Sequence, residues 1–148
     1  MKYTIPYVKI RDGAKPPAKA HIDDAGWDLS VSLIKFDNQN ENYITFGCGL
    51  AFDFSNVGFA QAMARSSVWK HHMVLTNGAG IIDAGYRGEV MGVFYALDGK
   101  AILYKPDERF MQLVFPQLRP DDVVEFIEVD KLEPSSRGDG GYGSTGDN

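Results

Sequence analysis

Apolar and polar positions alternate along much of the chain, in short runs. Residues 3–10 follow a period of two and read as a β-strand. Runs rich in β-branched and aromatic side chains recur at 29–36, 43–54, 59–64 and 74–76. Others lie at 90–96, 100–104, 112–116 and 123–129. Turn chemistry separates them, at 12–17, Asp37-Asn38, Gly47 and Gly49, Asn77-Gly78, Asp98-Gly99, Pro106-Asp107 and 119–122. Asp98-Gly99 between two β-rich runs predicts a hairpin. Only residues 66–72 suit a helix of one or two turns, with Ser66 or Ser67 as its cap. Many short strands with almost no helix predict an all-β sandwich, barrel or jelly roll.

The pattern stops at Pro134. Residues 134–148 hold Gly, Ser and Asp around a single Arg and a single Tyr, the composition of a flexible arm on a 1–133 core. The 148 residues fit one domain, which at this size buries about 70% of its unfolded surface. A net charge of −5 argues against non-specific nucleic-acid binding. A polyanionic ligand would need local Arg donors or a metal cation. Cys48 is the only cysteine, which leaves no intrachain disulfide or Cys-rich zinc site and suits a reducing cytoplasm. No apolar run approaches the roughly 18–20 residues of a membrane span, and residues 1–11 lack the apolar centre of a signal peptide.

Candidate chemistry lies in five stretches. Asp23-Asp24-Ala25-Gly26-Trp27-Asp28-Leu29 sets carboxylates beside a Gly turn at a strand start, where acidic residues are often merely solvated. Ala64-Arg65-Ser66-Ser67 puts a guanidinium and two hydroxyls where a strand enters a short helix, which suits phosphate oxygens and ordinary capping equally. In residues 77–89, Ile81-Ile82 lead straight into Asp83, with Gly80 and Gly85 on either side and Tyr86 just beyond. A carboxylate held against an apolar run is costly unless it is hydrogen-bonded or used. Glu108-Arg109-Phe110-Met111-Gln112-Leu113 opens a strand with Arg109 and Gln112 on opposite faces or around a bend. Residues 137–146 have the glycines of a phosphate loop, but Gly143 rather than Lys precedes Ser144, so a Walker A reading fails. The arm still offers Arg137, Tyr142, Ser144, Thr145 and many amides, parts suited to stacking on a base and donating to phosphates.

Read together as AGWDL, ARSS, NGAGIIDAGYRG, ERFMQL and RGDGGYGSTG, these segments resemble, in order, the motifs of the trimeric dUTPase family. Any one is weak; the ordered set, from Ala25 to Gly146, carries the resemblance. It implies a β jelly roll assembled as a homotrimer, with active sites at subunit interfaces. It also implies hydrolysis of dUTP to dUMP and pyrophosphate with Mg²⁺. The departures are Trp27, bulkier than expected, Tyr142 where Phe is usual, and Tyr95 and Ala96 in place of a more polar hairpin end.

The resemblance also assigns roles. Mg²⁺ bridges the phosphates, and Asp28 holds one of its waters. Asp83 orients the water that strikes the α-phosphorus and accepts its proton. Arg65, Ser66, Ser67 and Gln112 contact phosphates from the core, and Arg137, Gly143, Ser144 and Thr145 do so from the arm. Arg109 is either a further phosphate contact or a structural ion-pair partner. Main-chain groups near Gly80 and Met91, with Asn77 nearby, read uracil. Tyr86 packs under the sugar and excludes a 2′-hydroxyl, while Tyr142 covers the base, on a neighbouring subunit's site. His71 and His72 read as surface residues, His21 as a loop residue and Cys48 as a small buried hydrophobe. The rivals are a dCTP deaminase of the same fold and a regulatory binding protein reusing the scaffold. A zinc deaminase is excluded, because one cysteine cannot supply its Cys-x-x-Cys ligands.

Overall fold

A computed structural model of the protein describes residues 1–140 and has ten strands there. They are β1 (Lys2–Lys9), β2 (Trp27–Ser30), β3 (Leu33–Phe36), β4 (Tyr43–Phe52) and β5 (Phe59–Ala64). After a 3₁₀ turn at Val68–His71 come β6 (Met73–Leu75), β7 (Ala79–Asp83), β8 (Glu89–Ala96), β9 (Arg109–Val114) and β10 (Val123–Glu128). One sheet runs β10-β1-β4-β8-β6, with β3 also paired to β4; the other runs β2-β9-β5-β7. Every pairing is antiparallel except β1 with β10. The core draws on both sheets: Phe46, Cys48, Leu50 and Phe52 of β4 and Phe94 of β8, with Ala60, Ala62, Phe110 and Leu113 from the smaller sheet. Phe46 meets Phe94 and Tyr104 edge-on at 5.5 and 5.4 Å between ring centres. Contacts of this kind add about 0.5–1.5 kcal/mol each beyond burial.

The run 29–36 is two strands rather than one. The chain crosses between sheets at Val31-Ser32: the Val31 N–H donates to Glu108 O at 2.8 Å, the Ser32 N–H to Gly47 O at 2.7 Å. The apolar pattern persists through the crossing because Leu29 and Val31 both reach the shared core. The Asp98-Gly99 turn forms, with φ of 52° and 63°, but no hairpin follows and 100–104 is not a strand. β6 already holds that edge of β8, with Met73, Val74 and Leu75 opposite Ala96, Tyr95 and Phe94. Residues 100–104 instead run past the 3₁₀ turn, where the Ile102 N–H donates to His71 O at 2.9 Å. That turn replaces the expected helix, and Ser67 occupies its N-cap position without a side-chain cap bond. Among the described residues no helix is long and apolar enough to cross a membrane.

The alternation of β4 breaks down because its later residues are covered on both sides. Gly49 has φ 72°, and a Cβ there would stand 2.8 Å from both Ser32 Oγ and Ala14 Cβ. The added bulk of Trp27 is absorbed by edge contacts with Phe115 and Phe126 at 5.5 and 5.7 Å, under the Lys19 ammonium at 4.0 Å.

Candidate active site

β7, the edge of the smaller sheet, borders a cavity of about 270 Å³ that also touches β6 and β8 of the larger one. Ala62, Leu75, Ile82, Val93 and Met111 give it apolar walls, and Asn77, Gly80, Asp83, Tyr86, Met91 and Arg137 supply its polar and aromatic features. A Cβ on Gly80 would come within 3.2 Å of Asn77 Nδ2, so glycine leaves that amide its place. Asp83 ends β7 opposite Phe59, with its side chain 55% exposed, and its carboxylate pairs with the Arg137 guanidinium. The costly apolar setting expected for Asp83 is therefore not its setting: it stands at the cavity rim, where water reaches it. The Tyr86 ring is buried and its hydroxyl donates to the Glu89 carbonyl at 2.9 Å. Burial first, then the nearby Glu89 carboxylate, pushes its phenol above the usual range, so it remains a donor at neutral pH.

The loop after β7 is held from several sides. Arg87 pairs with Asp53 at 3.1 Å and donates to Ala84 O at 2.6 Å and Glu133 O at 2.7 Å. Its own N–H donates to Gly138 O at 2.6 Å, and the Ser135 hydroxyl donates to the Gly85 carbonyl. The first residues of the arm thus dock on the chain's own Tyr86 loop, and the Arg137 guanidinium lies 5.7 Å from the Tyr86 ring centre.

A second group gathers at the far end of β5. Asp28 pairs through one carboxylate oxygen with Arg65 Nε and through the other with Arg109 Nη1, each at 3.2 Å. Gln112 faces Asp28 across the β2–β9 pairing and donates to Ala64 O at 3.4 Å. Gly26 makes room for it, since a Cβ there would stand 2.5 Å from Gln112 Oε1. Ser66 is exposed and Ser67 half-buried beside Arg65. A cavity of about 310 Å³ adjoins this group, lined by Arg65, His71, Tyr104, Asp107, Glu108 and Arg109. His71 is not simply a surface residue: its ring stacks on Tyr104 at 3.8 Å and its Nδ1 lies 2.7 Å from Ile102 O. His72 is exposed, at φ 52°. None of Asp28, Arg65, Arg109 and Gln112 lines the Asp83 cavity. Asp83 lies opposite the start of β5 and Arg65 just past its end, and at about 3.3 Å per residue they stand roughly 20 Å apart along the strand.

A family model described as dUTPase matches residues 12–146. The deoxyuridine 5′-triphosphate nucleotidohydrolase of Desulfitobacterium hafniense is 34% identical, with 99% of this chain and 97% of that protein covered. The chain belongs to the dUTPase family. The Mycobacterium leprae protein of the same name is 31% identical over the same shares of the two chains. Among solved structures, a variant of the Staphylococcus bacteriophage 80alpha dUTPase with dUpNHpp shares the fold at a TM-score of 0.59 and 24% identity, covering 96% of this chain and 98% of that one. A phage phi11 dUTPase variant, described for its coordination of a structural Mg(II) ion, matches at a TM-score of 0.58 and 20% identity, covering 74% and 88%.

Set against the dUTPase motifs, the first cavity unites Asn77, Gly80, Asp83, Tyr86, Met91 and Arg137, and the second group unites Asp28, Arg65, Arg109 and Gln112. Of the two roles weighed for Arg109, the described structure has it in an ion pair with Asp28. Tyr142, Gly143, Ser144 and Thr145 lie outside the described residues. Sequence reasoning left several contributors unassigned. Gly92 lines the first cavity, and a Cβ there would overlap the Met111 sulfur; a lone glycine inside a strand run is the signal that marks such a close approach. Arg87, Asp53 and Ser135 gave no signal, because their partners are main-chain carbonyls and distant side chains.

Proposed function

We infer that the protein hydrolyses dUTP to dUMP and pyrophosphate, at a site built from the Asp83 cavity of one copy and the Arg65 group of another. The observation that carries this reading is the convergence of Asn77, Gly80, Asp83, Tyr86 and Met91 on one nucleoside-sized cavity in a dUTPase-family chain. Main-chain groups of Gly80 and Met91, with Asn77, pair with uracil. Cytosine would leave mismatched buried groups, which discriminates by roughly 10⁴ or more. Tyr86 lies flat under the deoxyribose and leaves no space for a 2′-hydroxyl. Asp83 orients a water on the α-phosphorus and takes its proton as the new P–O bond forms. The bond to the bridging oxygen breaks, and pyrophosphate leaves with the electron pair. Arg65 and Gln112, with Ser66 and Ser67, hold the phosphates. Arg137 turns from Asp83 to the phosphate chain when substrate enters, and Tyr142, Gly143, Ser144 and Thr145 complete the closure.

Among the described residues no three acidic, His or Cys side chains form a metal cage. Bound Mg²⁺ usually keeps several waters and takes only one or two carboxylates from a protein. Asp28 fits an outer role: two guanidiniums orient its carboxylate, and its remaining lone pairs can accept from a metal-bound water. A Mg²⁺ held there by Asp28 would supply charge compensation for the leaving pyrophosphate.

The roughly 20 Å along β5 from Asp83 to Arg65 is long for one residue to activate the water at the α-phosphorus while the other grips the same phosphates, which supports sites shared between copies of a homotrimer. The test is direct. With Mg²⁺ present, dUTP should release pyrophosphate and no ammonia, dCTP and dTTP should be poor substrates, and EDTA should stop turnover. Ammonia from dCTP would turn the assignment to a deaminase of the same fold.

A further inference from the structure

Behind the Tyr86 loop lies a polar knot outside the lining of the Asp83 cavity. The Glu89 carboxylate accepts from the Arg11 guanidinium and, at 2.7 Å, from the Gly49 N–H. Arg11 also donates through Nε to Ser32 Oγ at 3.0 Å. The Glu89 side chain is only 9% exposed, so a carboxylate almost removed from water depends on these charge-assisted bonds. β4 is shaped around it: its register with β8 shifts between Gly47 and Ala51, and a Cβ on Gly47 would overlap the Glu89 carboxylate. Neither Arg11 nor Glu89 lines the Asp83 cavity.

The main chain of Glu89 connects the knot to that cavity. Its carbonyl accepts the Tyr86 hydroxyl at 2.9 Å. Gly88 leaves the ring its space, since a Cβ there would stand 2.6 Å from Tyr86 Oη. Two residues further along β8, Met91 lines the same cavity. A shift of the Glu89 backbone therefore moves the sugar-facing ring and the wall beyond it together.

We propose that Arg11 and Glu89 are positioning residues for sugar selection: they fix the Glu89 main chain and, through its carbonyl, the height of the Tyr86 ring that separates deoxyribose from ribose. The proposal rests on the reading of Tyr86 as the sugar-facing residue. Releasing the pair lets the ring sink and a 2′-hydroxyl fit.

The test compares kcat/KM for dUTP and UTP in the full-length protein and its variants. Glu89→Gln and Arg11→Ala should each shrink the dUTP preference about tenfold, mainly by a gain on UTP, a modest effect for a displacement well under 1 Å. Arg11→Lys should recover part of it. Tyr86→Phe breaks the same link from the other side, so combining it with Glu89→Gln should add little, as expected for residues acting through one contact. A merely structural pair would lower the melting temperature and leave the dUTP-to-UTP ratio alone. An unchanged ratio in Glu89→Gln and Arg11→Ala, with the ratio reduced in Tyr86→Ala, would overturn the proposal and keep the sugar reading. An unchanged ratio in Tyr86→Ala would overturn that reading itself. Should Glu89→Gln and Arg11→Ala fail to fold, Tyr86→Phe, which deletes one hydroxyl, carries the measurement: an intact preference there contradicts the link.

Discussion

Asp83 draws its importance from position more than from burial. The last residue of an edge strand, it points its carboxylate at a cavity rim that water and an incoming phosphate can both reach, and Arg137 holds it there. Asp83→Asn should leave fold and nucleotide binding intact and lower turnover by at least about 10²-fold, the usual scale for loss of a general base. Single-turnover kinetics beside nucleotide binding checks this; near-normal turnover in a folded variant refutes the role. Cys48 behaves in the opposite way. It is fully buried, and desolvation pushes its thiol up to about 12 from an ordinary value of 9.0. The unfolded chain releases that proton first, so the stability this thiol contributes is present below pH 9 and is lost progressively as pH rises towards 12. The melting temperature of wild type should accordingly fall more steeply above pH 9 than that of Cys48→Ala; parallel curves would contradict the burial argument.

At the scale of elements, strands were legible wherever alternation and turn residues agreed. Residues 59–64 are a strand with those bounds. The run 29–36 misled because the chain changes sheets without leaving the core, so its hydrophobicity never lapses. Asp98-Gly99 misled because turn chemistry is local, whereas a hairpin also needs a free edge, and β6 had taken it. β7 was hidden by its glycine, which makes room at the cavity and weakens the strand pattern. The motif residues were legible through resemblance, but the bonds that hold them were not, since Arg87 reaches main-chain carbonyls remote in sequence. Composition sets the arm boundary at 133/134, yet Ser135, Arg137 and Gly138 bond to residues 83–87. A chain cut after Gly140 should keep its melting temperature and lose most activity. One cut after Pro134 also strips the Arg87 N–H of its Gly138 acceptor, which costs about 0.5–1.5 kcal/mol where water takes its place. Thermal unfolding of the two truncations decides it, and equal melting temperatures would leave those bonds without weight.

For the whole molecule, the separation of Asp83 from Arg65 along β5 is the decisive feature. One chain carries a nucleoside-sized cavity with Asp83 at its rim, and Arg65, in the group with Asp28, Arg109 and Gln112, stands roughly 20 Å from Asp83 along the strand. In the proposed closed assembly the cavity of one copy would meet the phosphate group of the next, and each copy would contribute to two sites. Complementation between Asp83→Asn and Arg65→Ala therefore tests the composite site most directly. Each variant alone should be nearly inactive towards dUTP. After subunit exchange at equal concentrations, verified by native mass spectrometry, about a quarter of the interfaces would pair an intact Asp83 with an intact Arg65. The mixture should then recover about a quarter of wild-type activity. Confirmed mixed assemblies with no recovered activity would show that each site is made within a single chain, and would contradict the composite site.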